Sequence, residues 1–333
     1  MTTSPTFPGL ARSLAELVAQ VIEEIRPRLI SAALSGERSE AANLRHSGNF
    51  LSIHDLWMHE RYRELLTPII PSYVYASEEA DPQVIGPDPE PDLCVLVDPL
   101  DTSEMAVRAL YGYTHVMVYS RSLARPIAAV VGDIFHHLQI YLAARDEDGA
   151  DQAFVYTQDG KAHELKLHRF AELREALITN YLMKPAERLQ PLGRQTRLLD
   201  ALNQPSADGA VRGRIGVDFG SVSLCHVAAG FTDATIEFAK GFAVWDLAPG
   251  HYILDAAGGV VLDLEGDAIP LDYRFGSMAD INKAMDRRQM FVAASGLTLA
   301  RDILASMDAA TGRLDAMGPR PTPLTEDGIG GIL

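Results

Sequence analysis

Five short runs rich in Val, Ile, Tyr and Ala lie between residues 72 and 144, and they limit the possible folds more than any other feature of the chain. Their sequences are SYVYA (72–76), LCVLV (93–97), HVMVYS (115–120), IAAVVGDIF (127–135) and LQIYLAA (138–144). Runs of this length, bounded by polar residues, Pro or Gly, are typical of β-strands. They predict a mixed or antiparallel sheet, followed at 145–161 by a surface connection.

Helical periodicity flanks these strands. An apolar stripe from Leu10 to Leu29 predicts an amphipathic helix interrupted near Pro27, and residues 52–66 predict a second helix. After Ala176 strands alternate with helices at 220–230, 245–259 and 297–307, and glycines close the first two. We expect an α/β (α+β) fold with an N-terminal domain (1–175) that includes a flap at 35–49, a C-terminal domain (176–318) and a flexible tail (319–333).

Composition excludes several classes of protein. The chain has 333 residues, of which 47% are hydrophobic and 22% are charged, as in ordinary globular proteins. Its net charge of −16 argues against binding to duplex nucleic acid or to an anionic membrane surface. Cys94 and Cys225 lie in apolar runs, which predicts buried free thiols. With neither an export signal nor a long apolar segment, a cytoplasmic location is expected.

Acidic residues follow directly on the strand LCVLV. Asp98 and Asp101 stand at its end, and buried carboxylates need cations, donors or a metal. One interpretation is a turn in which Asp101 caps the next helix; the other is a site for a hard metal ion such as Mg²⁺. Glu78 also ends a strand and Asp246 begins a helix, which is consistent with the same metal site. Taken alone, Glu78 could equally be a solvated surface residue and Asp246 an N-terminal helix cap.

The order of these motifs resembles the inositol monophosphatase superfamily of magnesium-dependent, lithium-sensitive phosphatases. The matching segments are SIHD (52–55), SEE (77–79), DPLDTS (98–103), GSVSLCHVAAG (220–230) and WDLAPG (245–250). The resemblance covers most of the chain. It implies a layered αβαβα sandwich of the sugar-phosphatase type, a small phosphorylated metabolite as substrate, and a homodimer.

The resemblance also implies a ligand set for two to three Mg²⁺ ions. The first ion would be held by Glu78, Asp98 and the carbonyl of Leu100. The second would be held by Asp98, Asp101 and Asp246. A third, weakly held ion would lie near Glu78, on the side toward Asp55.

Catalytic and phosphate-binding roles follow from the same motifs. By resemblance, Ser103 and Asp55 would orient and deprotonate the attacking water, with Glu78 as the third catalytic residue. Asp101, Thr102 and Ser103 would bind the phosphate. Thr102 stands where most members have glycine, which is tolerable if its φ stays negative.

The substrate side departs most from the family. Gly220, Ser221, Lys240 and Arg45 are the expected substrate-binding residues. Inositol monophosphatases carry a hydroxyl-binding glutamate seven residues before the acid matched by Asp246, and Ala239 stands there, so an inositol 1-phosphate substrate is disfavoured. Lys240 suits a second anionic or strongly polar group, although it also suits an exposed surface.

Two functions remain open at this point. The first is a magnesium-dependent phosphomonoesterase acting on a sugar, polyol, inositol or nucleoside phosphate. The second is a degenerate member that binds a phosphometabolite or a partner without turnover. Thr102, Glu104 and Pro249, which break the family motifs, favour the second, whereas the intact acidic residues favour the first.

Overall fold

The computed structural model describes residues 9–37, 40, 50–136, 138–167 and 171–308, with only the backbone at 138 and 139. The predicted tail at 319–333 and most of the predicted flap lie outside the described residues. Within them, no helix combines the length and the apolar character needed to cross a membrane.

Among the described residues, two helices precede the first sheet, α1 (Gly9–Ser35) and α2 (Ile53–Leu66). The expected interruption of α1 at Pro27 is wrong, because the helix runs through that residue. Pro27 is exposed, so the carbonyl group that loses its N–H partner faces water, while the buried stripe continues through Ile25 and Leu29. Ser52, the first residue of the helix predicted at 52–66, is the N-cap of α2, and its side chain accepts the N–H groups of His54 and Asp55.

The first sheet of the described residues has eight strands. They are β1 (Tyr73–Ser77), β2 (Ala80–Ile85), β3 (Leu93–Asp101), β4 (Tyr113–Ser120), β5 (Arg125–Asp133), β6 (Leu138–Arg145), β7 (Asp151–Thr157) and β8 (Ala162–Glu164). Their order is β2-β1-β3-β4-β5-β6-β7-β8. β1 and β3 are parallel and the other neighbours are antiparallel, which confirms the predicted mixed sheet. A four-residue helix, α3 (Ser103–Ala106), follows β3.

A second sheet, with five strands among the described residues, forms after residue 176. Its elements are β9 (Leu177–Asn180), α4 (Leu189–Gly193), α5 (Thr196–Leu202), β10 (Arg214–Val217), α6 (Gly220–Ala228), β11 (Ala234–Ala243), α7 (Val244–Ala256), β12 (Val260–Leu262), α8 (Met278–Met285), β13 (Arg288–Ala294) and α9 (Leu297–Ser306). The strand order is β10-β9-β11-β13-β12. β9 is parallel to both of its neighbours, and β13 is antiparallel to both of its own.

Five layers result from the packing of these elements, as expected for an αβαβα sandwich. α1 and α2 cover one face of the first sheet, α6 and α7 lie between the two sheets, and α5 and α9 cover the outer face of the second. α6 and α7 approach each other closely, since a Cβ atom on Gly250 would lie 2.3 Å from the carbonyl oxygen of Ser221. This close approach brings the first turns of both helices to the same edge of the layer.

Residues 145–161 are not the surface connection that the sequence predicted. Asp151–Thr157 is strand β7, and Ala153, Phe154 and Val155 are buried in it. The turns lie on either side of the strand, where the glycines Gly149 and Gly160 adopt positive φ. The strand has a short apolar centre between polar ends, which is why its pattern resembles that of a loop.

Candidate active site

A β-bulge shapes the end of β3. Asp98 pairs with His115 of β4 and Asp101 pairs with Tyr113, so β3 advances three residues while β4 advances two. The additional residue falls at Pro99 and Leu100, and proline is tolerated at a bulge because the ladder is interrupted there. The bulge leaves both aspartates at the same edge of the sheet.

Asp98 and Asp101 have buried oxygen atoms without partners. Asp98 is 1% exposed, and neither its Oδ1 nor its Oδ2 has a hydrogen-bond partner among the residues that the structure describes; the same holds for Oδ2 of Asp101. Together with His115, they offer ligand atoms that all lie within 4.8 Å of one another. Because unpaired buried carboxylates are costly and carboxylate oxygen is the donor that hard cations prefer, these residues fit a divalent metal ion.

His115 is a site residue that sequence reasoning missed. It is fully buried, with Nδ1 3.8 Å from Asp98 Oδ2 and Nε2 3.5 Å from Asp101 Oδ2. Burial lowers the pKa of His115 to about 3. A hydrogen bond with the backbone of Trp245 acts in the opposite direction and raises the pKa. Pro249 has no N–H to donate to the carbonyl of Trp245 four residues earlier, so α7 leaves that carbonyl without its usual helical bond. The proline that departs from the family motif therefore lies next to the aspartate cluster.

Glu78 and Asp246 bring two more carboxylates to the cluster. Glu78 lies in the turn between β1 and β2, and Asp246 is the third residue of α7, where it accepts a hydrogen bond from the backbone N–H of Ala243 at 3.3 Å. Burial and then Asp246 raise the pKa of Glu78 well above its ordinary value. Burial also raises the pKa of Asp246, although Arg288, 3.5 Å away, acts in the opposite direction. Such mutual repulsion is what bound cations relieve.

Asp55 and Ser103 form a hydrogen-bonded pair beside the aspartates. Ser103 Oγ donates to Asp55 Oδ1 at 2.5 Å and lies 2.8 Å from the carbonyl oxygen of Leu100. Asp55 is fixed by the capping box of α2, in which its Oδ2 accepts the backbone N–H of Ser52 at 2.7 Å. Burial raises the pKa of Asp55, and the bonds from Ser103 and Ser52 oppose the rise. The capping box thus orients a carboxylate toward the hydroxyl of Ser103.

Thr102 differs from the expectation that its φ is negative. Its φ is 62° and its ψ is 38°, in the left-handed region that disfavours β-branched residues. Its hydroxyl is buried and has no hydrogen-bond partner within the described part of the chain. The backbone has a left-handed conformation that glycine adopts readily, and the threonine strains it. α3, which starts at the next residue, has only four residues.

Gly220 and Ser221, two of the predicted substrate-binding residues, have different surroundings. Gly220 begins α6, and a Cβ atom there would lie 1.8 Å from Asp101 Oδ2, so glycine is required for the helix to approach that carboxylate. The helix N-terminus favours the negative charge. The side chain of Ser221 is fully buried, where Oγ donates to the carbonyl of Asp246 at 2.7 Å and accepts the N–H of Gly250 at 3.1 Å. Ser221 therefore ties α6 to α7.

One cavity brings most of the predicted residues together. Its lining includes Glu78, Leu100, Asp101, Thr102, Ser103, Gly220, Lys240 and Asp246. Asp98 and Asp55 are buried next to it. Arg45 lies outside the described residues.

The same cavity is lined by side chains that sequence reasoning did not single out, namely Phe50, Tyr181, Met183, Lys184, Arg188, Phe242 and Arg288. The Arg188 guanidinium lies 4.0 Å from the centroid of the Tyr181 ring and 3.2 Å from Glu237 Oε2. Residues 181–188 carry no periodic pattern, so no sequence signal marked them. His115 could have been found from the predicted strands, because pairing β3 with β4 places it opposite Asp98.

Comparison with known proteins places the chain in a family. A profile described as "Inositol monophosphatase family" matches residues 10–296. The chain belongs to the inositol monophosphatase family. This family is metal-dependent and includes phosphatases, and the cluster of Asp98, Asp101 and His115 could bind a metal ion.

Three matches illustrate the degree of similarity. The chain is 26% identical over 223 residues to "Nus factor SuhB" of Pasteurella multocida, a match that covers 67% of this chain and 75% of that protein. A Ca-bound IMPase family protein from Staphylococcus aureus has a TM-score of 0.64 at 16% identity, covering 92% of this chain and 98% of the other. A dual-specific IMPase/NADP phosphatase bound with D-inositol-1-phosphate has a TM-score of 0.63 at 16% identity. That match covers 92% of this chain and 98% of the other. The structural likenesses show the fold.

Proposed function

We propose that the chain is a magnesium-dependent phosphomonoesterase that hydrolyses a small polar phosphate of the sugar, polyol, inositol or nucleoside class. One observation carries the proposal: buried carboxylate oxygens of Asp98 and Asp101, without partners among the described residues, lie in the same site as the Ser103–Asp55 hydrogen bond. Asp98 and Asp101 suit the binding of cations that in turn bind phosphate, and the pair of Ser103 and Asp55 suits the deprotonation of water.

In this proposal the metal ligands are the oxygen donors that the resemblance implies, and His115 lies beside them. Glu78, Asp98 and the carbonyl of Leu100 would hold one Mg²⁺, Asp98, Asp101 and Asp246 would hold the second, and a third, weakly held ion would lie near Glu78, on the side toward Asp55. Bound magnesium would supply charge neutralisation on the phosphate oxygens. Arg288, close to Asp246, contributes a positive charge on the same side.

Ser103 and Asp55 carry the proton chemistry. The attacking water gives up a proton to Asp55 by way of Ser103 Oγ, its oxygen forms the new bond to phosphorus, and the ester oxygen leaves with the electron pair of the broken P–O bond. A proton from solvent completes the alcohol product. Burial raises the pKa of Asp55, which makes its carboxylate a stronger base than an exposed aspartate.

Relatives support the substrate class. One structural neighbour is described as an IMPase/NADP phosphatase with bound D-inositol-1-phosphate. Glu237 is two residues from the position of the missing glutamate, but it cannot take over hydroxyl binding. It is 1% exposed, and its Oε1 accepts the N–H groups of Ala239, Lys240 and Gly241. A substrate other than inositol 1-phosphate is therefore favoured. The homodimer and the cytoplasmic location stay predictions.

Phosphate release from a panel of inositol, sugar and nucleoside phosphates, with Mg²⁺ and with EDTA, tests the proposal. We expect release that requires Mg²⁺, that is inhibited by Li⁺ and that is lost in Asp98→Asn. A Ser122→Ala variant, at an exposed serine outside the cavity, is the control and should keep full activity. Release that is unaffected by EDTA or by Asp98→Asn would contradict the metal assignment.

The alternative function, binding without turnover, is favoured by the strained backbone at Thr102 and by Glu104 beside it in the cavity. It predicts that no member of the panel is hydrolysed even at high protein concentration, while Mg²⁺ still raises the melting temperature. Phosphate release with normal saturation would exclude it.

A further inference from the structure

We propose that the substrate carries a second anionic group, a phosphate or a carboxylate, and that Lys184, Arg188 and Lys240 bind it. This inference rests on the proposed function, because it takes the scissile phosphate to lie at the Asp98–Asp101 end of the cavity. The cationic wall, defined as Lys184, Arg188 and Lys240, would then select esters with a charge at their far end.

The cavity has two chemically different sides. Glu78, Asp101 and Asp246 come from the β1–β2 turn, the end of β3 and the start of α7. The cationic wall comes from the second sheet: Lys184 and Arg188 follow β9, and Lys240 lies in β11, the strand that pairs with β9. Adjacent strands thus deliver the three cations to one side of the cavity.

A bulge in β11 presents Lys240. Glu237 pairs with Phe291 and Phe242 with Gln289, so β11 advances five residues where β13 advances two. The Glu237 carboxylate holds the looped-out segment by accepting three successive backbone N–H groups, at 3.0, 2.9 and 3.2 Å. Gly241 completes the bulge with a φ of 80°. The carboxylate that fixes the bulge also pairs with Arg188, which couples the two cations structurally.

Lys184 combines a strained backbone with a position beside two other cations. Its φ is 63°, a conformation that is strained for a lysine. Burial lowers the pKa of Lys184 and the charges of Lys240 and Arg188 lower it further, while the carboxylate of Glu187 acts in the opposite direction. Like charges held together beside a partly buried lysine cost free energy, and such costs concentrate at functional sites.

The neighbouring carboxylates do not cancel the wall. Glu187 pairs with Lys240 at 3.1 Å from a half-exposed position, and Glu237 is buried behind Arg188. Among the described residues, the ion pairs of the wall set two carboxylates against three cations, and Glu237 divides its oxygens between the backbone N–H groups of the bulge, through Oε1, and Arg188, through Oε2. The Arg188 guanidinium, stacked on Tyr181, keeps a fixed plane suited to bidentate binding of a phosphate or a carboxylate.

Matched pairs of esters test the inference and separate the two kinds of anion. The phosphate arm compares fructose 1,6-bisphosphate with fructose 1-phosphate, and the carboxylate arm compares 2-phosphoglycerate with glycerol 2-phosphate. We expect kcat/KM to be at least tenfold higher for the member with two anions in one arm, mainly through KM. Tenfold corresponds to about 1.4 kcal/mol of binding. Equal values within both arms would overturn the inference.

Substitutions in the cationic wall test whether its lysines cause the preference for esters with two anions. Lys184→Asn keeps a residue that tolerates positive φ, and in Lys184→Asn/Lys240→Gln the ratio within the preferred arm should fall to about one. Lys161→Gln, at an exposed lysine paired with Asp159, is the control and should keep the wild-type ratio. A ratio that stays unchanged in the double variant refutes the assignment.

Binding measured by calorimetry separates this inference from the proposed function. The same four esters are titrated into Ser103→Ala protein with Mg²⁺, with and without the double lysine substitution. Tighter binding of the ester with two anions, lost in the double variant, supports the wall even if wild-type protein releases no phosphate, a result that would overturn only the proposed function. Equal affinities overturn the inference, whatever the activity.

Discussion

Replacing Asp98 with asparagine should stabilise the protein in EDTA. The carboxylate is almost completely buried, both of its oxygens lack hydrogen-bond partners in the described residues, and Glu78 and Asp101 repel it. Asparagine keeps the shape of the side chain and removes the charge. The variant therefore removes an electrostatic cost from the metal-free protein.

The size of the gain follows from two opposing costs. A buried charge without compensation costs about 3–5 kcal/mol, and a buried amide without partners costs about 1–3 kcal/mol, so the difference is about 2 kcal/mol. At an unfolding entropy of about 2.1 cal/mol/K per residue, about 1 kcal/mol shifts the Tm of a 333-residue chain by roughly 1.5 °C, which predicts a rise of about 3 °C.

The pH of the measurement matters because burial, Glu78 and Asp101 raise the pKa of Asp98. A carboxyl group with a raised pKa in the folded state loses stability as the pH rises above its unfolded value, near 4. The advantage of Asp98→Asn should thus be small at pH 5 and larger at pH 8. Thermal unfolding of both proteins at these two pH values is the assay.

Magnesium should reverse the order of stability. At a concentration of 100 Kd, a ligand of the folded state adds about 2.7 kcal/mol to wild-type stability, and Asp98→Asn should lose most of this gain. Asp133→Asn is the matched control: Asp133 is equally buried but accepts hydrogen bonds from the N–H groups of Phe135 and His136, so its replacement should destabilise the protein with or without Mg²⁺. Lower stability of Asp98→Asn in EDTA, together with an undiminished gain from Mg²⁺, would refute the reasoning.

Three shorter predictions concern neighbouring residues. Ser103→Ala should lower kcat by about 10²–10⁴-fold with an unchanged circular dichroism spectrum, since Asp55 loses its hydroxyl partner; an active variant would remove the proton pathway. Thr102→Gly should raise unfolding free energy in urea by about 1–2 kcal/mol, because it removes left-handed strain and an unpaired hydroxyl; a loss of stability would contradict this. Although burial acts to lower it, Asp218, 2.7 Å away, raises the pKa of His226, so the pair stabilises the fold below pH about 6.5 and less as the pH rises. His226→Gln should cost about 1 kcal/mol at pH 5.5 and less at pH 9; a cost that does not change with pH would exclude the pair as its cause.

The sequence was most informative where a strand ends in charged residues. An apolar run followed at once by Asp98 and Asp101 predicts carboxylates at a sheet edge, because the strand fixes the direction of the chain and aspartate is rarely buried without a partner. The layered fold and the family are confirmed by the packing and by the profile match. Both depend on patterns that are continuous along the chain.

Features that depend on pairing between distant segments could not be read in this way. His115 joins the aspartates only because β3 and β4 pair in a register with a bulge at Pro99. Lys184 and Arg188 enter the cavity because β9 lies beside β11, a neighbour more than fifty residues later in the chain. The left-handed backbone at Thr102 also escapes prediction, since threonine is a residue that normally excludes it.

Two bulges, one in each sheet, supply opposite sides of the cavity. The bulge at Pro99 in β3 separates Asp98 from Asp101, and the longer one in β11 carries Lys240. Between such irregularities, which also occur in three other strand pairs of the first sheet, buried faces fix the register, since a shift of one residue would turn every buried side chain outward. A bulge adds residues without such a shift. The segment that bears Lys240 can therefore change in length or charge, and with it the preferred substrate, while the ladder that holds the metal ligands stays intact. Deletion of Ala239 should accordingly abolish any preference for a second anion and leave the Mg²⁺-induced rise in Tm unchanged; loss of that rise would show that the two sides are not independent.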